Sequence, residues 1–274
     1  MMKKTLKLAV ISSVAMWVSF NASAEFLQPA KIVAGSDITF APYEYMDQGK
    51  PAGFDIEMLS GIAKQLNRQV VSVDTRFPNL IPGLRGKRFD VTNSAMYITP
   101  ERLKVIDMVP YLKTGQQILS LANAAYQPKT PAEFCGHKVG TMAGSSFLQH
   151  LQNFSDTQCV KQGKPPIQIS EYPTDPQTTQ ALLSHAVDAQ ITDVAVAQAA
   201  VKKLPGKVTV TSTQLLYPVL MGIGVRKDAP DVKAAITDGL NKFRKTPEYQ
   251  QLFARYHFTA PTEQEIQSLS ASAE

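Results

Sequence analysis

The chain has 274 residues, with 28 basic against 23 acidic side chains and a formal charge of +5. Three of the basic residues and none of the acidic ones fall in the first 24 positions, so the remainder balances 25 against 23. A charge of that size gives no basis for nucleic-acid or anionic-membrane binding, and the length suits one large core or two modest ones.

Met1-Met2-Lys3-Lys4 opens the chain, Leu8 to Phe20 is apolar, and Ala22-Ser23-Ala24 precedes Glu25. A basic start, a short apolar run and small residues at the −3 and −1 positions form a secretory signal peptide over 1–24, cleaved after Ala24. The run is shorter than the ~20 apolar residues a bilayer span needs. Later segments are less apolar still, so the mature product is expected to be soluble. Cys135 and Cys159 are the two cysteines. After export, that number suits a single disulfide closing a loop of roughly 25 residues; the alternative is a pair of buried thiols. No further Cys or His stands near them at metal-ligand spacing.

In chain order, Lys31–Gly35 reads as a strand, and Gly53–Leu66 as an amphipathic helix with Ile56, Leu59, Ile62, Ala63 and Leu66 on one face. Asn79–Leu84 is a short helix and Asp90–Ser94 a strand. Thr99-Pro100-Glu101-Arg102 starts a helix, with a capping hydroxyl, Pro at the first position and an acid in the first turn. A second block opens near Leu119. It holds strands at Lys138–Thr141, Ile167–Ile169, Ala189–Thr192 and Val208–Ser212, and helices at Phe147–Leu151 and Asp175–His185. Gly222–Val225 is again a strand; Val232, Ala235, Ile236, Leu240 and Phe243 mark a helical face, and Thr246-Pro247-Glu248 begins a helix through Tyr256. The polar tail from Pro261 stays unassigned. Short strands alternating with helices indicate an α/β protein.

Several segments carry a resemblance. They are Gly35-Ser36-Asp37 with Phe40-Ala41-Pro42-Tyr43-Glu44, Gly53-Phe54-Asp55-Ile56-Glu57, Leu80-Ile81-Pro82-Gly83-Leu84 and Phe89-Asp90. Ile98-Thr99-Pro100-Glu101-Arg102 follows, with Val109-Pro110-Tyr111, Cys135–Gly140, Gly144-Ser145-Ser146, Val187-Asp188-Ala189 and Asp193. In this order they resemble the periplasmic solute-binding proteins of polar amino-acid uptake, extracellular solute-binding family 3, across roughly residues 30 to 258. The resemblance implies an α/β, two-lobed periplasmic-binding-protein (type II) fold with two interlobe crossovers, near Tyr111–Gln116 and Gln214–Leu220. Lobe 1 is then 25–112 plus 221–274, and 113–220 is lobe 2 with flanking hinge strands. It also implies a monomer that holds an amino acid in the cleft and delivers it to an ABC-type permease, with no cofactor.

Carried over residue by residue, the resemblance makes Arg102 the anchor for the ligand carboxylate, a role suited to a planar guanidinium with paired donors. Without it, Arg102 is a surface cation with a neighbouring acid. Ser145 and Ser146 follow Gly144 at a helix start, which offers N–H groups and hydroxyls to an anion and equally makes an ordinary cap. Asp193 resembles the acid that receives the ligand ammonium, while also reading as a helix N-cap. Asp37, Phe40 and Phe77 resemble first-lobe pocket positions, Tyr43 stands beside them, and Ser94, Ala95 and Tyr97 complete the expected ligand contacts. Tyr97 departs from the pattern, occupying a position where relatives carry a Ser or Thr that reaches the carboxylate. Its phenol either donates from a different place or reshapes the pocket.

The competing class is an enzyme, because cyclohexadienyl dehydratases share these motifs. That chemistry needs an acid at the leaving hydroxyl, for which Glu44 and Glu171 are the candidates. The four His (137, 150, 185, 257) are scattered, there is no G-x-S-x-G elbow, and Gly222-Ile223-Gly224 lacks a dinucleotide-loop context. A sensor module using the same clamp would require a membrane span and a downstream domain, and the sequence has neither.

Overall fold

The computed structural model describes residues 25–271, so the signal-peptide reading lies outside the described residues. In chain order the elements are β1 (Lys31–Ser36), β2 (Tyr45–Asp47), β3 (Lys50–Ala52), α1 (Phe54–Gln65), β4 (Gln69–Asp74), α2 (Leu80–Arg85), β5 (Val91–Thr92), α3 (Pro100–Val105) and β6 (Asp107–Leu121). Then come β7 (Lys138–Met142), α4 (Ser146–Phe154), β8 (Gln168–Tyr172), α5 (Asp175–Leu183), β9 (Ala189–Asp193), α6 (Val194–Lys203) and β10 (Val208–Val210). The chain finishes with β11 (Leu216–Val225), α7 (Pro230–Phe243), α8 (Pro247–Tyr256) and α9 (Glu263–Ala271).

The strands run in the order β4-β1-β5-β11-β6-β9-β7-β8, with β10 on β6 and β2–β3 as a separate hairpin. Two sets of parallel strands, β4-β1-β5 and β9-β7-β8, flank the antiparallel pair β6–β11. This is the two-lobed α/β fold. Long β6 and β11 serve both lobes, and where they cross their pairing is irregular, shifting register between Leu216 and Val219 and again between Met221 and Gly222. Such bulges let a strand pair bend.

In the first lobe β1 is buried except at Lys31, as a strand covered on both faces must be. Helix α1 buries Phe54, Met58, Leu59, Ile62 and Ala63, while Ile56 is only half-buried, so its apolar face is rotated slightly from the expected one. Gly61 lets α1 approach α7 closely, since a Cβ there would lie 2.3 Å from the Phe243 ring.

Two features go beyond the elements expected from the sequence: β4, a half-buried strand next to β1, and the β2–β3 hairpin. The tail after Pro261 is a helix. Glu265 accepts from the Thr262 N–H and pairs with Lys113 of β6 at 2.7 Å, while the Lys113 N–H donates to Thr259 O. No described helix is long and apolar enough to cross a membrane. In the second lobe Cys135 and Cys159 form the disulfide, with Cα atoms 5.6 Å apart, tying the turn before β7 to the end of the α4 segment.

Candidate functional site

Between the lobes lies a cavity of about 10 Å³. Phe40, Phe77, Ala95, Tyr97 and Arg102 line it from the first lobe, and Met142, Ser145, Ser146 and Phe147 from the second. That volume is close to the minimum for one water. Any larger solute therefore enters only when the lobes part.

Arg102 sits there for a local reason. Thr99 caps α3 through the Arg102 N–H, with Pro100 at the first position, so the guanidinium leaves the third residue of the helix toward the cleft. Its Nη1 donates to Tyr97 O at 2.8 Å and its Nη2 to Gly144 O at 3.3 Å, and it lies 5.3 Å from the Phe77 ring centroid. The residue is 9% exposed, and burial lowers its pKa to about 10, which leaves it charged at neutral pH. No carboxylate among the described residues forms an ion pair with it. A buried guanidinium held only by carbonyls and an aromatic face is poised for an anion.

The opposite wall is the β7–α4 turn. Gly144 adopts φ +70°, and a Cβ there would come within 3.2 Å of Pro78 in the first lobe, so the lobes close backbone to ring at this point. The Ser145 hydroxyl donates to Met142 O and caps α4 by accepting the Leu148 N–H. Ser146 is buried in the first turn, and Phe147 meets the Tyr97 ring edge-on at 5.3 Å.

Three of the expected ligand contacts stand outside the cavity lining. Asp37 accepts from Arg76 at 2.6 Å, from the Thr39 hydroxyl and from the Phe77 N–H, so it fixes the Phe77 loop from behind. The Ser94 hydroxyl donates to Glu44 and accepts the Asp37 N–H. Asp193, the N-cap of α6, accepts the Ala195 N–H and the hydroxyls of Tyr43, Tyr97 and Thr114. Burial raises its pKa, and these donors oppose the rise. Met142 and Phe147 line the cavity without having been singled out from the sequence; their only signal is an apolar residue on either side of the Gly-Ser-Ser turn.

Behind Ala95, Glu44 and Asp55 are fully buried neighbours whose carboxyls interact. Two neighbouring buried carboxyls resist ionising together. Burial, then the neighbouring Asp55, pushes Glu44 well above the usual carboxylate range. Burial also raises Asp55 to about 6, although it accepts from the Ala95 N–H and the Tyr111 hydroxyl. Asp175 in the second lobe is likewise raised to about 6 by burial.

All three carboxyls bind protons more tightly folded than unfolded. Their contribution to stability is therefore full below the unfolded carboxylate range and declines as pH rises above it, through about 6 for Asp55 and Asp175. We expect wild type to lose unfolding free energy in denaturant titrations between pH 5 and pH 7. Glu44→Gln, which keeps a neutral group beside Asp55, should lose less over the same interval.

Two lobes bridged by a bulged strand pair, closing on a buried cationic pocket, define an extracytoplasmic-type solute-binding clamp. The chain belongs to the bacterial extracellular solute-binding proteins, family 3, whose family model matches residues 32–260. A histidine-binding periplasmic protein of Salmonella typhimurium is 28% identical over 258 residues, covering 91% of this chain and 96% of that one. A solved ancestral arginine-binding protein bound to arginine is 30% identical with a TM-score of 0.76, covering 83% of this chain and 98% of that one. An ancestral amino acid-binding protein, described as a precursor of cyclohexadienyl dehydratase, matches with a TM-score of 0.73 at 28% identity, covering 83% and 95%.

Proposed function

We propose that the mature chain, cleaved after Ala24, is a monomeric periplasmic receptor that captures a polar amino acid in the cleft and delivers it to an ABC-type permease. The carrying observation is Arg102: a buried guanidinium at the cleft with no described carboxylate partner, suited to a ligand carboxylate through two parallel hydrogen bonds. The histidine- and arginine-binding names of the relatives support the amino-acid class. The lobe limits proposed from the sequence, near 112/113 and 220/221, sit close to the irregular stretch of β6–β11. Parting there admits solute, and closure is favoured by contacts that ligand makes to both lobes at once.

Glu44 and Glu171, the candidate acids for a dehydratase, have positions that favour the receptor reading. Glu44 is buried behind Ser94, and Glu171 is exposed on β8 at the edge of the sheet. Neither lines the cavity. Mass spectrometry of what copurifies with the mature protein, with a thermal-shift screen of L-amino acids, tests the proposal. A bound amino acid and a raised melting temperature are expected. Turnover of prephenate, or no response to any amino acid, would overturn it.

A further inference from the structure

Asp193 is saturated. An ionised carboxylate offers about four lone-pair positions, and Asp193 already holds four donors. Oδ1 takes the Tyr43 hydroxyl at 2.8 Å and the Ala195 N–H at 2.8 Å; Oδ2 takes the Tyr97 hydroxyl at 2.7 Å and the Thr114 hydroxyl at 2.5 Å. One of the four has somewhere else to go. The Tyr97 hydroxyl also lies 2.8 Å from Gly115 O, and a phenol has a single proton to give to one of these two acceptors. Tyr97 is moreover the residue that both lines the cavity and touches Asp193.

We propose that the Tyr97 hydroxyl holds the position of a ligand ammonium on Asp193, and that it yields this position by turning its proton to Gly115 O. The inference rests on the amino-acid reading above and adds the residue that sets its selectivity. Tyr97 and Asp193 belong to opposite lobes, so their contact breaks when the cleft opens, while Gly115 remains within the strand pair joining the lobes. On reclosure around an amino acid the ammonium takes the Oδ2 position, and no buried phenol is left unsatisfied because Gly115 O accepts its proton. Burial and the nearby Asp193 both keep Tyr97 a neutral phenol throughout. Exchanging a hydrogen bond to a carboxylate for one to a carbonyl costs binding energy, and the cost falls only on ligands that carry an ammonium. A ligand lacking that group leaves the Tyr97–Asp193 bond intact.

Tyr97→Phe keeps the ring against Phe147 and removes only the hydroxyl. The test is calorimetric titration of wild type and Tyr97→Phe with L-histidine, L-arginine and L-glutamine, each beside its analogue with hydrogen in place of the ammonium. The amino acids that bind wild type should bind Tyr97→Phe about five-fold more tightly, with no gain for the deaminated partners. If Tyr97→Phe weakens amino acids, the hydroxyl contacts the ligand directly and the inference fails. Equal tightening of both members of a pair would also overturn it, because the hydroxyl would then only latch the lobes. If wild type binds none of the three amino acids, the amino-acid reading itself falls, and this inference with it.

Discussion

Arg102→Lys is expected to weaken ligand binding about 100-fold, a loss of about 3 kcal/mol. The native guanidinium spends only two of its donors, on Tyr97 O and Gly144 O, and lies against the Phe77 ring. Its remaining N–H groups keep the planar, two-pronged geometry that matches a carboxylate. A lysine ammonium retains the charge but is a compact point donor on a flexible stem, with no second prong and a poorer match to the aromatic face. Because α3 is capped by Thr99 independently of the guanidinium, the variant should fold and melt near wild type. Calorimetry with the amino acid that stabilises wild type is the direct measurement. Near-native affinity would remove Arg102 from the anchoring role.

The second large effect concerns stability. Replacing both Cys135 and Cys159 by Ser opens a loop with a sequence separation of 24. In the chain-entropy account this lowers unfolding free energy by about 3.5 kcal/mol. For a protein of this size that corresponds to a fall of about 10 °C in melting temperature. Cys159 is fully buried, so a serine hydroxyl in its place adds a desolvation cost in the same direction. The damage should concentrate in the second lobe, where the bridge ties the turn before β7 to the end of the α4 segment. Thermal melts of wild type with and without reductant, beside the double variant, provide the check. Reduced wild type should melt close to the variant.

Neither experiment depends on the exchange at Tyr97, so they separate the anchor and the framework from the selectivity device. Arg102→Lys should weaken amino acids and their deaminated analogues alike, since both present a carboxylate. Tyr97→Phe should divide them.

Much of this protein is written locally. Thr99-Pro100-Glu101-Arg102 specifies a capped helix start within four residues, and that start aims Arg102. The spacing of apolar residues fixed α1 and α7 closely, because amphipathic periodicity is a property of a short window, and the Thr246-Pro247-Glu248 start fixed α8. Two cysteines in a chain whose start reads as a secretory signal were enough to anticipate the bridge. The tail helix α9 was less legible, since what holds it is tertiary: the ion pair of Glu265 to Lys113 and the packing of Ile266 on the core. Strand β4 escaped notice for a related reason: its place is set by parallel pairing with β1, more than thirty residues earlier in the chain.

The chemistry of the cleft divides along the same line. Sequence alone determined which residue types would be available near the site, including the guanidinium, the aromatic rings, the Gly-Ser-Ser turn and the acid at the end of β9. Only the tertiary structure decided what each of them is free to do. Asp193 meets hydroxyls from positions 150, 96 and 79 residues away, and Asp37 is claimed by Arg76 and the Phe77 N–H. A cap is settled by neighbours three residues apart, whereas the saturation of a buried carboxylate depends on donors that only the packed lobes bring together.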